Sequence, residues 1–285
     1  MAFIAPQAIP AAAAESGAAK ADQGSGRTVV GGVLAGAYIG FGGLLAVVVS
    51  AGLPKAWGNL PLLITGAAFT VGLMLVVIAG AELATGNMAT VGIGVLRRRV
   101  PLGRYSVHLT VALIGNLVGA LLVAYFLGVK SGVLTQPPVL KRLDAIAMLK
   151  GHTETGWQVF LRGVGCNWLV CLAVWMALAA KDVAGKLAAI FFPVMAFVAM
   201  GFDHVVANMF FLPAAIFAHA PAGITWSDAV GNWVFALLGN LVGAGVFVAG
   251  AYWYLYGREA TDVAAEDVTS AVPAAATVQP AAAGA

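Results

Sequence analysis

Long apolar runs separated by short polar breaks dominate the chain. Six runs fall at about 29–52, 61–96, 105–129, 157–180, 187–218 and 228–256, each holding the roughly 20 residues that a helix needs to cross a hydrocarbon core of about 30 Å. Runs 61–96 and 187–218 exceed that length, and each carries charge and glycine at its middle. GAELATGNM at 80–88 aligns without gaps with GFDHVVANM at 201–209, matching Gly80 with Gly201, Glu82 with Asp203, Asn87 with Asn208 and Met88 with Met209. GNLVGA recurs at 115–120 and 239–244. The pattern predicts two units of three spans, 29–129 and 157–256. Because each unit has an odd number of spans, the second enters the membrane from the opposite side, giving an inverted repeat. The predicted fold is an all-α membrane protein of six transmembrane helices, the second and fifth broken.

A break within the membrane frees backbone N–H and C=O groups that hydrocarbon cannot satisfy, so it must face protein or a wet cavity. In inverted-repeat transporters such breaks point to the substrate site. Glu82 and Asp203 are expected to accept hydrogen bonds from the freed N–H groups and, with Asn87 and Asn208, to hold the breaks open. His204, beside Asp203, is an ionisable residue at the centre of an apolar run. Such a residue is a candidate for the transport path, the alternative being a structural pair with Asp203. Asn240 shares its repeat position with Asn116, which makes it a pore candidate and equally a residue that joins helices through its amide. Gly32, Gly36 and Gly40, Gly115 and Gly119, and Gly239 and Gly243 recur every four residues, a spacing that lets helix backbones approach closely.

Composition agrees with the spans: of 285 residues 61% are hydrophobic and 9% charged, against about 25% charged in a soluble domain. Cys166 and Cys171 lie inside one apolar run and read as packing residues rather than a disulfide or a metal site. With no GxSxG, no HExxH and no set of His/Cys ligands, the sequence points to no enzyme, metal or cofactor. His108, His152 and His219 lie at span or loop ends and are not read as ligands. The net charge of +3 suits basic residues flanking spans of a bilayer and implies no nucleic acid. Residues 1–28 and 257–285, rich in alanine and proline, are expected to be disordered tails. With both termini on one side of the membrane, that side receives nine basic residues against six. The bias places the termini in the cytoplasm of a multi-pass protein of the cell membrane.

GFDHVVANMFFLP (201–213), GAELATGNM (80–88), RGVGCNWLVCLAVW (162–175), LAGAYIGFG (34–42) and the paired GNLVGA motifs resemble the formate/nitrite transporter family over about 30–256. The resemblance implies an aquaporin-like protomer, a homopentamer with one pore per protomer, and passage of a small monovalent anion, formate or nitrite, with a proton. Lactate, acetate or hydrosulfide are alternative cargoes. A passive small-solute channel is another reading, although Asn87-Met88 and Asn208-Met209 stand where an aquaporin has its Asn-Pro-Ala triplets. By position the resemblance makes His204 the central pore histidine, Thr85 its partner across the pore and Asn167 the motif asparagine. It makes Phe69, Leu83 and Phe197 the apolar constriction, and Lys150 the lysine that attracts anions, one residue further from Asn167 than the family pattern. Ala84 replaces a common phenylalanine, which would widen the constriction, and Asp203 replaces a common glutamate.

The chemistry behind this expectation is electrostatic. A bare anion in a dry apolar ring costs tens of kcal/mol by Born estimates, whereas protonating an acid of pKa about 3.7 at pH 7 costs roughly 4.5 kcal/mol. The neutral acid is the cheaper passenger, and a histidine at the ring, from or through which a proton is taken, is the residue type suited to that step.

Overall fold

The computed structural model describes residues 3–257, which are helical almost throughout. Five stretches are long and apolar enough to cross a membrane: Ser25–Ser50, Leu60–Gly80, Leu102–Lys130, Gly156–Ala179 and Trp226–Tyr256. Their helices are α2 (Ser25–Ser50), α3 (Leu60–Leu75), α5 (Leu102–Leu122), α7 (Gly156–Ala179), and α10 with α11 (Trp226–Ala244, Ala251–Tyr256). Three of these stretches include wider π turns, at Val76–Gly80, Val123–Lys130 and Gly245–Gly250. Shorter apolar helices are α4 (Ala84–Leu96), α8 (Val183–Ala199) and α9 (Val205–Phe217).

The two over-long runs divide at the aligned glycines. Gly80 has φ +83° and Gly201 φ +73°, the left-handed region where any other side chain would be strained, and the chain beyond each is extended before α4 and α9 begin. The runs divide differently, however. Leu60–Gly80 has 21 residues before its break, a full crossing by length, whereas α8 and α9 are shorter apolar helices of 17 and 13 residues.

The pairs α2/α5 and α7/α10 interlock through their four-residue glycine rows. A β-carbon at Gly36 would lie 2.0 Å from the Asn116 carbonyl oxygen, at Gly119 1.9 Å from that of Val33, at Gly239 2.2 Å from that of Phe160 and at Gly243 2.3 Å from that of Val164. Backbone therefore meets backbone where the break-bearing helices are gripped. Large apolar side chains remain on the outside, including Ile114, Val118 and Leu122 on α5 and Val230, Val234 and Leu238 on α10. Their spacing of four keeps each set on one helix face.

The N-terminal segment corrects the expectation of a disordered tail. Ile9–Asp22 forms α1, with Ile9, Ala13, Ala14 and Gly17 buried. Alanine is the best helix former, and here it also gives α1 a narrow face: a β-carbon at Gly17 would meet the Thr90 carbonyl at 2.0 Å. Small residues read as lack of core; they are what lets α1 seat on α4. Between the halves, Pro137–Met148 forms a further helix, α6. The expected C-terminal tail, 257–285, lies outside the described residues apart from Gly257.

Candidate substrate pathway

Three cavities lie in series. The largest, about 400 Å³, is lined by Lys20, Glu82, Asn87, Thr90 and Lys186 among others, and it shares Leu73 and Leu83 with a neck of about 10 Å³. The neck is bounded by Ile39, Phe69, Leu73, Leu83, Val194 and Phe197, with Val170 and His204 completing it. Phe69, Phe197 and His204 also line a third cavity of about 150 Å³, which holds Lys150, Arg142 and Asn208. A cavity of about 10–15 Å³ is what one water needs; the neck admits no column of water. Phe69 and Phe197 meet edge to face with centroids 6.0 Å apart, which stiffens it. Ala84 does not border the neck, whereas Leu83 does.

The breaks are built alike. Asn116 Oδ1 accepts the Ala84 N–H at 2.9 Å, while its amide donates to the Gly32 and Glu82 carbonyls, each at 2.9 Å. Asn240 Oδ1 accepts the Val205 N–H at 3.0 Å, while its amide donates to the Gly163 and Asp203 carbonyls, each at 2.9 Å. Each asparagine thus serves both a donor and an acceptor that the interrupted helix leaves over. This corrects the reading of Glu82 and Asp203, whose carboxylates take no backbone N–H here. All the side-chain polar atoms of Asn240 are engaged in these bonds. Asn167 is structural in the same sense: its amide donates to the Thr85 and Asn240 carbonyls at 3.1 and 2.9 Å, and it lines none of the three cavities.

His204 ends the second break as the N-cap of α9. Its Nδ1 accepts the Ala207 N–H at 3.1 Å, and a backbone N–H can only donate. The ring proton of the neutral imidazole is therefore on Nε2, where it donates to Thr85 Oγ1 at 2.8 Å. Thr85 is fully buried and borders none of the three cavities. Its hydroxyl is engaged with the imidazole. An incoming oxyanion reaches the Nε2 proton only by displacing the threonine.

Each vestibule carries a lysine–carboxylate pair next to an asparagine, buried at Lys150–Asp203 and partly buried at Lys20–Glu82. Lys150 Nζ lies 2.6 Å from Asp203 Oδ1, which also accepts from Asn208 Nδ2 at 2.8 Å. Asn208 Nδ2 reaches Asn232 Oδ1 at 2.7 Å as well. Lys20 Nζ lies 2.9 Å from both oxygens of Glu82, which accepts from Asn87 Nδ2 at 2.7 Å. The same Asn87 amide lies 3.0 Å from His108 Nε2. Lys150 is thus paired rather than free. His108, at the start of its span by sequence, is buried within 3.7 Å of Glu82, and it occupies the place that Asn232 holds in the second half. Glu154, just before α7, completes the Lys150 cluster, its Oε1 accepting from Arg162 Nη1; burial, and then the neighbouring Asp203 carboxylate, push its carboxyl up to about 7. Lys20 and Glu154 escape the sequence reading. The spacing holds one signal: Lys20 precedes Gly32 by twelve residues and Lys150 precedes Gly163 by thirteen.

The sequence model of the family described as Formate/nitrite transporter matches residues 7–254. The chain belongs to the formate/nitrite transporter family. Its relatives are transporters and channels, not enzymes. A probable formate transporter of Methanothermobacter thermautotrophicus is 47% identical over 250 residues, covering 82% of this chain and 90% of its own. The formate channel BtFdhC of Bacillus thuringiensis is 41% identical over 259 residues, covering 91% and 98%. Among solved structures, a pentameric formate channel with formate bound superposes with a TM-score of 0.71 at 30% identity, covering 82% of this chain and 98% of that one. The matched residues take in α1. This is a multi-pass membrane protein of an anion-transporting family.

Proposed function

We propose that the protein conducts formate through a pore in each subunit of a homopentamer, the anion entering a charged vestibule and crossing the neck as the neutral acid. The observation that carries this reading is the series of two charged vestibules joined by an apolar neck with His204 at its edge. The relatives named for formate support the cargo, and the pentameric neighbour supports the assembly. In this reading α8 and α9 together make the remaining span and the halves form an inverted repeat, supported by the matching roles of Asn116 and Asn240. Both termini face the cytoplasm, as the basic-residue bias suggests.

The lysine–carboxylate pairs concentrate anions without trapping them, because each ammonium is already partnered. At the neck the solute loses its water, and charge there is costly. A proton taken up from the vestibule removes the charge, and the Nε2 proton of His204, drawn away from Thr85, gives the acid a hydrogen bond in the dry passage. Transport is then coupled to protons. Labelled formate, nitrite and lactate offered to purified protein in liposomes at two external pH values test the proposal. Formate uptake should be fastest and should accelerate as the outside is made more acid; pH-indifferent uptake, or permeability to water alone, would sink it.

The neck also sets a size limit. Phe69→Ala removes a buried ring that spans the constriction and borders both the neck and the Lys150 vestibule. Lactate uptake relative to formate is expected to rise about tenfold, comparable to what shape discrimination in a pocket achieves. An unchanged ratio in a folded variant would place the size filter elsewhere.

A further inference from the structure

Lys150, Arg162, Asp203 and Glu154 meet behind the vestibule wall, and their hydrogen bonds leave a specific gap. Asp203 Oδ1 is taken by Lys150 and Asn208, and Glu154 Oε1 by Arg162. Asp203 Oδ2 and Glu154 Oε2 are buried without a donor among the described residues. The Glu154 side chain is 2% exposed and that of Asp203 0%. The two carboxyls lie close enough for each to act on the other's charge, so both unpartnered oxygens belong to one buried cluster. Two carboxylate oxygens are both acceptors, and like charges in one buried site repel, so one of the pair must hold a proton for them to meet.

We infer that Glu154 and Asp203 share a single proton, carried on Glu154 Oε2 and donated to Asp203 Oδ2, and that this proton sets the charge of the Lys150 vestibule. The ammonium 2.6 Å from Asp203 keeps the negative charge on the aspartate. With the proton in place, Lys150 and Arg162 face one carboxylate and the cluster is positive by one; without it, the cluster is neutral. The other charged or titratable groups on the packed elements are Arg142 of α6, which lines the vestibule itself and is cationic throughout, Asp144 of α6, which accepts the Ala222 N–H, Cys166 of α7 and His204 beyond Lys150. His152 is turned to Asp228 at 3.3 Å, and α9 and α10 contribute the uncharged Asn208 and Asn232. Loss of the proton on alkalinisation therefore weakens the attraction for anions at this mouth alone.

Glu154→Gln replaces the protonated acid by an amide that donates the same hydrogen bond and cannot ionise. In liposomes held at equal pH inside and out, the ratio of formate flux in E154Q to that in wild type should be near one at about pH 5.5 and rise to about tenfold at about pH 8.5, the scale on which a focused charge changes encounter. A ratio that does not change with pH overturns the vestibule role. Infrared spectra of the wild-type protein with isotopically labelled glutamate read the proton directly, with no variant and no transport. A glutamic acid C=O band should be present at about pH 5.5 and lost by about pH 8.5. Its absence throughout overturns the shared proton. The flux arm rests on the transport reading and the spectral arm does not, so failure of formate conduction is told apart from failure of the carboxyl pair.

Discussion

Replacing His204 by phenylalanine will reduce pH-driven formate uptake about tenfold to a hundredfold while the protein remains folded. Phenylalanine keeps a flat ring in the neck and removes three things: the Nδ1 acceptor that caps α9, the Nε2 donor, and the capacity to change protonation. Loss of the cap costs about 1 kcal/mol, which a protein with this much buried helix contact tolerates. The donor matters more, because a hydrogen bond missing in a water-free passage costs the solute about 1–3 kcal/mol, equivalent at 1.36 kcal/mol per decade to roughly one or two orders of magnitude in rate. Thr85→Val isolates the geometry. It releases the Nε2 proton from its partner at 2.8 Å but leaves it available, so uptake should stay within about threefold of wild type. Uptake in H204F within twofold of wild type, at equal reconstitution, would remove the imidazole from the mechanism.

Much of this arrangement can be read from residue order. The glycines that turn the chain at the two breaks, the match of Glu82 with Asp203 and the position of His204 beside it all follow from aligning GAELATGNM with GFDHVVANM, because a turn at positive φ demands glycine in both segments. What residue order conceals is partnership across distance. Asn116 and Asn240 look like helix-joining amides; only the fold reveals that each faces the carbonyl before a break and the N–H after it. Glu82 reads as a cap for its own break, yet its partner is Lys20, 62 residues earlier, on a helix whose alanines carry no amphipathic pattern. Glu154 reads as one acid in a polar loop, and acquires its chemistry from Asp203, which the fold brings to it from the other side of two helices. Hydropathy likewise registers 61–96 as one over-long run, although its first part is a full-length helix and its second a short one.

Asn240→Leu should cost more stability than any other single polar substitution in the second half of the chain. Leucine has nearly the volume of asparagine's site but supplies neither acceptor nor donor, so the Val205 N–H and the Gly163 and Asp203 carbonyls, now satisfied at 2.9–3.0 Å, would be left buried. Three bonds at about 1 kcal/mol each, or about 0.6 each on the scale measured between membrane helices, give a loss of about 2–3 kcal/mol before repacking. Repacking adds to it, because Gly239 beside the site already holds its backbone against Phe160 and two methyl groups on a tetrahedral carbon are bulkier than the planar amide they replace. An apparent melting temperature in detergent lower by about 5–10 °C is expected, at about 2–4 °C per kcal/mol for a chain of this size. Asn240→Asp should fall between the two, since it still accepts from Val205 but cannot donate to either carbonyl. A residue acting in proton relay would show the opposite pattern, with transport lost and thermal stability kept; that result would return Asn240 to the pathway and leave the second break without its clamp.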